Sequence, residues 1–129
     1  MIENADTIRQ SELCRKAEET AITSYGNNSY LLAFIVDYYR LRNLKWPTVV
    51  EALMWAQTES GEVYEQLLAR EGGWVRNNPD EHEEYDRKKL AEEISDQILM
   101  LLVAGMVDGF DILQIMRDKM ERKLKELGL

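Results

Sequence analysis

The sequence predicts an all-α fold, and two observations carry that expectation. The polar/apolar pattern repeats with helical period, and only two prolines and seven glycines interrupt its 129 residues. This length predicts one domain with a real core. The expected architecture is a bundle of four core helices plus an N-terminal helix, spanning 1–129, with about 1–27 as an extension.

The first helix is expected over 5–24, ending before the turn signal Tyr25-Gly26-Asn27. Its face (Ile8, Leu13, Ala17, Ala21) is weakly apolar, which predicts peripheral packing. The second, about 29–44, carries Leu31, Leu32, Phe34, Ile35, Tyr38, Tyr39 and Leu41, and Trp46-Pro47 separates it from the third. Thr48 followed by Glu51 is a capping-box signature that dates the start of the third helix. That helix runs to Arg70, where Gly72-Gly73 stop it, with a core stripe expected at Val49, Val50, Leu53, Ala56, Ser60, Tyr64, Leu67 and Leu68. Residues 71–84 are polar and turn-rich and predict a long loop, a length that points to a functional flap. The fourth helix is expected over 84–107, with Gly109 just beyond. Asp111 and Gln114 are expected to cap the fifth, which would carry Ile112, Leu113, Met116, Met120, Leu124 and Leu127 inward.

Composition narrows the function. Sixteen basic against 24 acidic residues leave a formal charge of −8. Such a chain repels nucleic acid, and a nucleotide substrate needs bound metal to offset the same repulsion. Cys14, the single cysteine, excludes an internal disulfide and supplies no metal set. The first residues show no basic-then-apolar signal pattern, and the apolar run 98–107 is too short for a bilayer. These features predict a cytoplasmic protein without a membrane partner.

Two acidic signatures stand out, Glu59-Ser-Gly-Glu62 and Glu93-Ile-Ser-Asp96. Three-residue spacing puts each pair of carboxylates on one helix face, about 5–6 Å apart at Cβ. Two such helices packed together would aim four oxygen donors at one point, which calls for a divalent cation and so for phosphate chemistry. Spacing alone is weak, because Glu62/Glu65, Asp80/Glu83 and Glu81/Glu84 share it and most such pairs are solvated. Context favours the first two. Glu93 and Asp96 fall on the stripe of Met100 and Val103, in a helix apolar all round from 98 to 107. Glu59 lies one turn from Trp55 and Val63. Gly61 costs helix stability without a turn to justify it, which suggests close approach of a helix or ligand, or a plain packing glycine.

These residues resemble the MazG-like superfamily of all-α nucleotide pyrophosphohydrolases, which includes dimeric dUTPases, dCTP pyrophosphatases and phosphoribosyl-ATP pyrophosphatase. Glu59-Ser-Gly-Glu62-Val is similar to the family's E-x-G-E-L, and Glu92-Glu93-Ile-Ser-Asp96-Gln-Ile-Leu to E-E-L-x-D-V-L. The resemblance extends from Phe34-Ile-Val-Asp-Tyr-Tyr-Arg-Leu-Arg to Lys119-Met-Glu-Arg122-Lys123, covering roughly 30–125. Thirty residues separate Glu62 from Glu93, more than in most relatives, and this leaves the substrate open.

The resemblance implies that Glu59, Glu62, Glu93 and Asp96 bind Mg²⁺, with Mn²⁺ as a substitute. It implies cleavage of a nucleoside triphosphate between its α- and β-phosphates, giving a nucleoside monophosphate and pyrophosphate, as in nucleotide-pool house-cleaning. Glu62 is the candidate general base. A homodimer or homotetramer follows from the same resemblance. It also places Lys119 and Arg122 toward the triphosphate, with Lys123 a weaker candidate; the alternative is cationic residues complementing a helix dipole. Trp46, Trp55 and Trp74 are candidates for stacking on the base, Trp46 first, against core packing for any of them. His82, in an acidic loop, stays outside the site. Alternatives are another phosphoanhydride substrate (dUTP, dUDP or phosphoribosyl-ATP) and a non-catalytic helical binding or assembly module. A di-iron bundle would want an E-x-x-H pair, which is missing here.

Overall fold

The computed structural model describes residues 4–24, 26–70 and 86–129, and every described element is helical. The helices are α1 (Ala5–Thr23), α2 (Gly26–Leu41), α3 (Val49–Arg70), α4 (Arg87–Val107) and α5 (Ile112–Glu126). The expected flap at 71–84, with Trp74 and His82, lies outside the described residues.

Local signals set the helix ends. The Asn4 side chain accepts the Thr7 N–H at 2.8 Å and opens α1. The capping box closes in both directions: Thr48 Oγ1 accepts the Glu51 N–H, and Glu51 Oε1 accepts the Thr48 N–H, each at 3.2 Å. These bonds hold the Glu51 carboxyl below its ordinary value. Asp111 Oδ1 accepts the Gln114 N–H at 3.2 Å, but the Gln114 side chain turns forward and donates to Asp118. Asn43 ends α2 with φ +52, and its N–H donates to the Arg40 carbonyl. Gly26 takes φ +54 and starts α2 three residues earlier than the sequence suggests.

The chain forms two compact units, one of residues 1–52 with 102–129 and the other of residues 53–101. The core of the first unit comes from Ala17, Thr20 and Ala21 of α1, Leu32, Ile35 and Tyr39 of α2, Trp46, Ala52, and 102–107 of α4. The peripheral role expected for α1 is therefore corrected. Its small side chains let the backbone come close, and the Thr20 hydroxyl donates to the Met106 carbonyl at 3.0 Å. Gly105 is required by packing, because a Cβ there would collide with the Ile112 side chain and come within 2.9 Å of the Phe110 carbonyl. The inward stripe expected on α5 is also corrected: no residue of that helix is buried, and Met116, Met120 and Leu124 are about half exposed.

In the second unit α3 and α4 run antiparallel, joined where the Asp86 backbone N–H donates to Gln66 Oε1 and the Gln97 amide donates to the Ser60 hydroxyl. The inward stripe of α3 is Ala56, Glu59, Val63 and Gln66, whereas Leu53, Tyr64 and Leu68 of the expected stripe face outward. The most apolar face of this helix is not the face that its own chain covers.

Candidate metal centre

The second unit brings the two acidic signatures together. Glu59 of α3 and Glu93 and Asp96 of α4 each offer one carboxylate oxygen, all within 4.8 Å of one another. Glu59 and Glu93 are half-buried and Asp96 is exposed. Glu62 is not one of the converging three; it is hydrogen-bonded to Glu93 and to Glu59 at their edge. The antiparallel register explains the meeting. A three-residue spacing on each helix puts both pairs on facing sides, and opposed chain directions place Glu59 near Asp96 as well as Glu93.

The charges are strongly coupled. The Glu93 carboxyl is pushed up to about 7, chiefly by its hydrogen bond to Glu62, then by burial and the Glu62 charge. Glu59 is also raised, first by burial and then by its bond to Glu62. Glu62 is lowered because it accepts from Glu93 and Glu59, with further help from the Lys89 charge. Protons therefore belong to the cluster, with Glu93 holding one most firmly and Glu62 remaining ionised.

One oxygen is left over. Glu59 Oε2 is buried and has no hydrogen-bond partner among the described residues. A buried carboxylate oxygen without a donor is costly, and a cation would satisfy it. An all-oxygen donor set of three carboxylates fits a hard divalent ion such as Mg²⁺ or Mn²⁺ rather than a softer metal.

The remaining predicted residues lie in the first unit or outside the described residues. Lys119 and Arg122 are exposed on α5. Trp46 is 6% exposed and stacks on Tyr39 with ring centroids 4.1 Å apart. Gln10 fixes its backbone through two bonds, of 2.7 and 2.8 Å. Of the two fates open to Trp46, the chain gives it packing; one ring face is spent on Tyr39. It borders a groove of about 510 Å³ that Gln10, Cys14, Tyr39 and Arg40 also line. Burial and the neighbouring Glu18 push the Cys14 thiol up, so this is not an activated cysteine.

Among the described residues a Cβ at Gly61 would meet nothing within 4 Å, so close packing against those residues does not account for that glycine. Sequence reasoning missed Gln66, which is 1% exposed on the same face as Glu59. A polar residue seven positions along an inward stripe was the available signal. No protein-family model, curated protein or solved structure matches the chain.

Proposed function

We propose that this chain is a Mg²⁺-dependent nucleoside triphosphate pyrophosphohydrolase with a MazG-like helical-bundle fold, Mn²⁺ serving as a substitute. The observation that carries the reading is the convergence of one carboxylate oxygen each from Glu59, Glu93 and Asp96, with a buried Glu59 oxygen that has no hydrogen-bond partner among the described residues. The doubled acidic motif and its resemblance to the MazG-like pattern supply the reaction class.

Glu59, Glu93 and Asp96 would hold the ion, with Glu62 completing the acidic set. When bound, Mg²⁺ supplies positive charge for the phosphate oxygens and makes water more acidic at neutral pH. Glu62, held in its ionised form by its neighbours, is suited to take the proton of the attacking water. Glu93 must release its own proton before its oxygens can serve as ligands. Lys119 and Arg122 are the proposed triphosphate contacts, and Trp74 the proposed aromatic contact to the base.

The proposed assembly is a homodimer or homotetramer, cytoplasmic, without a nucleic-acid or membrane partner. Among the described residues no single helix is long and apolar enough to cross a membrane.

The test is a panel of canonical and modified nucleotides incubated with Mg²⁺, with pyrophosphate and orthophosphate measured separately. Pyrophosphate and a nucleoside monophosphate in equal amounts are expected. Orthophosphate alone would point to another phosphoanhydride, and no turnover across the panel would favour a binding module.

A further inference from the structure

We infer that Gln66 is a positioning residue for the acid cluster, setting the register of α4 against α3 so that Glu93 and Asp96 meet Glu59. The inference rests on the metal reading above and adds to it the device that holds the ligands in place.

Gln66 is 1% exposed, which makes it one of the most deeply buried side chains described and the only buried amide among them. Its Oε1 accepts the backbone N–H of Asp86 at 3.0 Å. Asp86 in turn opens α4: its Oδ1 accepts the N–H groups of Lys88 and Lys89 at 2.9 and 3.2 Å. The side chain from α3 thus grips the residue that begins α4.

The spacing ties this grip to the cluster. Gln66 lies seven residues after Glu59, and Asp86 lies seven before Glu93. Seven residues make two helical turns, about 10.5 Å along the axis, and return to nearly the same face. In antiparallel helices, pinning position 66 to position 86 therefore brings 59 opposite 93. A slip of one residue would swing Glu93 by about 100° and break the convergence. On the other flank the Gln97 amide donates to the Ser60 hydroxyl, so the cluster sits between two polar ties.

A buried amide in an inward stripe is hard to explain as packing alone. A methionine would fill the volume without a polar group to satisfy. The backbone N–H at the head of α4, by contrast, needs an acceptor that no apolar side chain provides. Residues that orient ligands without touching the ion typically change metal affinity 10–100-fold when lost.

The experiment compares wild type, Gln66→Met and Leu32→Ala as full-length proteins, well below their melting temperatures. Leu32 is a 1%-exposed core residue of the first unit, whereas the cluster belongs to the second, so its truncation serves as the control for lost stability alone. Mn²⁺ affinity is read from the electron paramagnetic resonance signal of the free ion, and exchange of the Asp86 amide proton by NMR without metal. Gln66→Met is expected to weaken Mn²⁺ binding by about tenfold and to speed Asp86 exchange, with Leu32→Ala leaving both near wild type. Mn²⁺ affinity of Gln66→Met within twofold of wild type would overturn the inference. So would unchanged Asp86 exchange, or an equal loss of affinity in Leu32→Ala. A wild-type protein that binds no Mn²⁺ fails the metal reading itself, and Asp86 exchange then decides the clamp alone.

Discussion

At the acid cluster a proton and the proposed divalent cation would compete for the same oxygens. Glu93 titrates at about 7 in the folded protein, against an ordinary value of 4.5. Between those values the folded chain holds a proton that the unfolded chain has released. The stability that Glu93 contributes to the metal-free protein is therefore fully present below about 4.5 and is lost as pH rises through about 7. Glu62 works in the opposite sense, but only as pH falls below its ordinary 4.5. The melting temperature of the metal-free protein is expected to decline between pH 5 and 7, roughly the span of the Glu93 shift. The decline should flatten in Glu93→Gln, which mimics the protonated group. A thermal denaturation series in chelator measures both, and a slope unchanged by the substitution would remove Glu93 as its source. The carboxylates themselves were legible in the sequence because spacing and an apolar context set them apart. The uneven sharing of protons was not, since it depends on which oxygens touch.

Helices were legible where local chemistry decides them. The Thr48/Glu51 box, the Gly109 end and the Asp111 cap act within a few residues, so sequence alone exposes them. The choice of inward face was not legible in α3, and in α1 the face was legible but its depth of burial was not. Ala17, Thr20 and Ala21 score as weakly apolar, yet small size is what permits their burial. On α3 two faces compete, and the chain covers the one bearing Glu59 and Gln66. Leu53, Met54, Trp55, Tyr64 and Leu68 remain 40–64% exposed, as do Ile94, Ile98 and Leu101 of α4 at 41–49%. Apolar helix surface on this scale marks an interaction site, and a second copy of the chain is the proposed cover. Sedimentation at micromolar concentration is expected to return at least a dimer. A monomer there would leave these faces without the proposed partner.

For the molecule as a whole, the all-α class was legible from period and composition, because helices dominate every described part of the chain. The division into two units was not, since it falls inside α3 and α4, where no proline or glycine marks it. A chain of charge −8 that also gathers carboxylates at one point works against its own folding, and the proposed cation would offset that cost. Thermal unfolding of the whole protein under Mg²⁺ titration at about pH 8, with the buffer set above the Glu93 titration, shows whether the cluster is the proposed divalent-cation site. Ligand at a hundred times its dissociation constant stabilises the folded state by about 2.7 kcal/mol. Wild type should show a saturating rise in melting temperature. Glu93→Gln and Asp96→Asn should lose most of that rise, while their metal-free forms melt at or above the wild-type temperature because repulsion is relieved. A wild type insensitive to Mg²⁺, or variants that melt lower without metal yet respond to Mg²⁺ as wild type does, would contradict the proposed site.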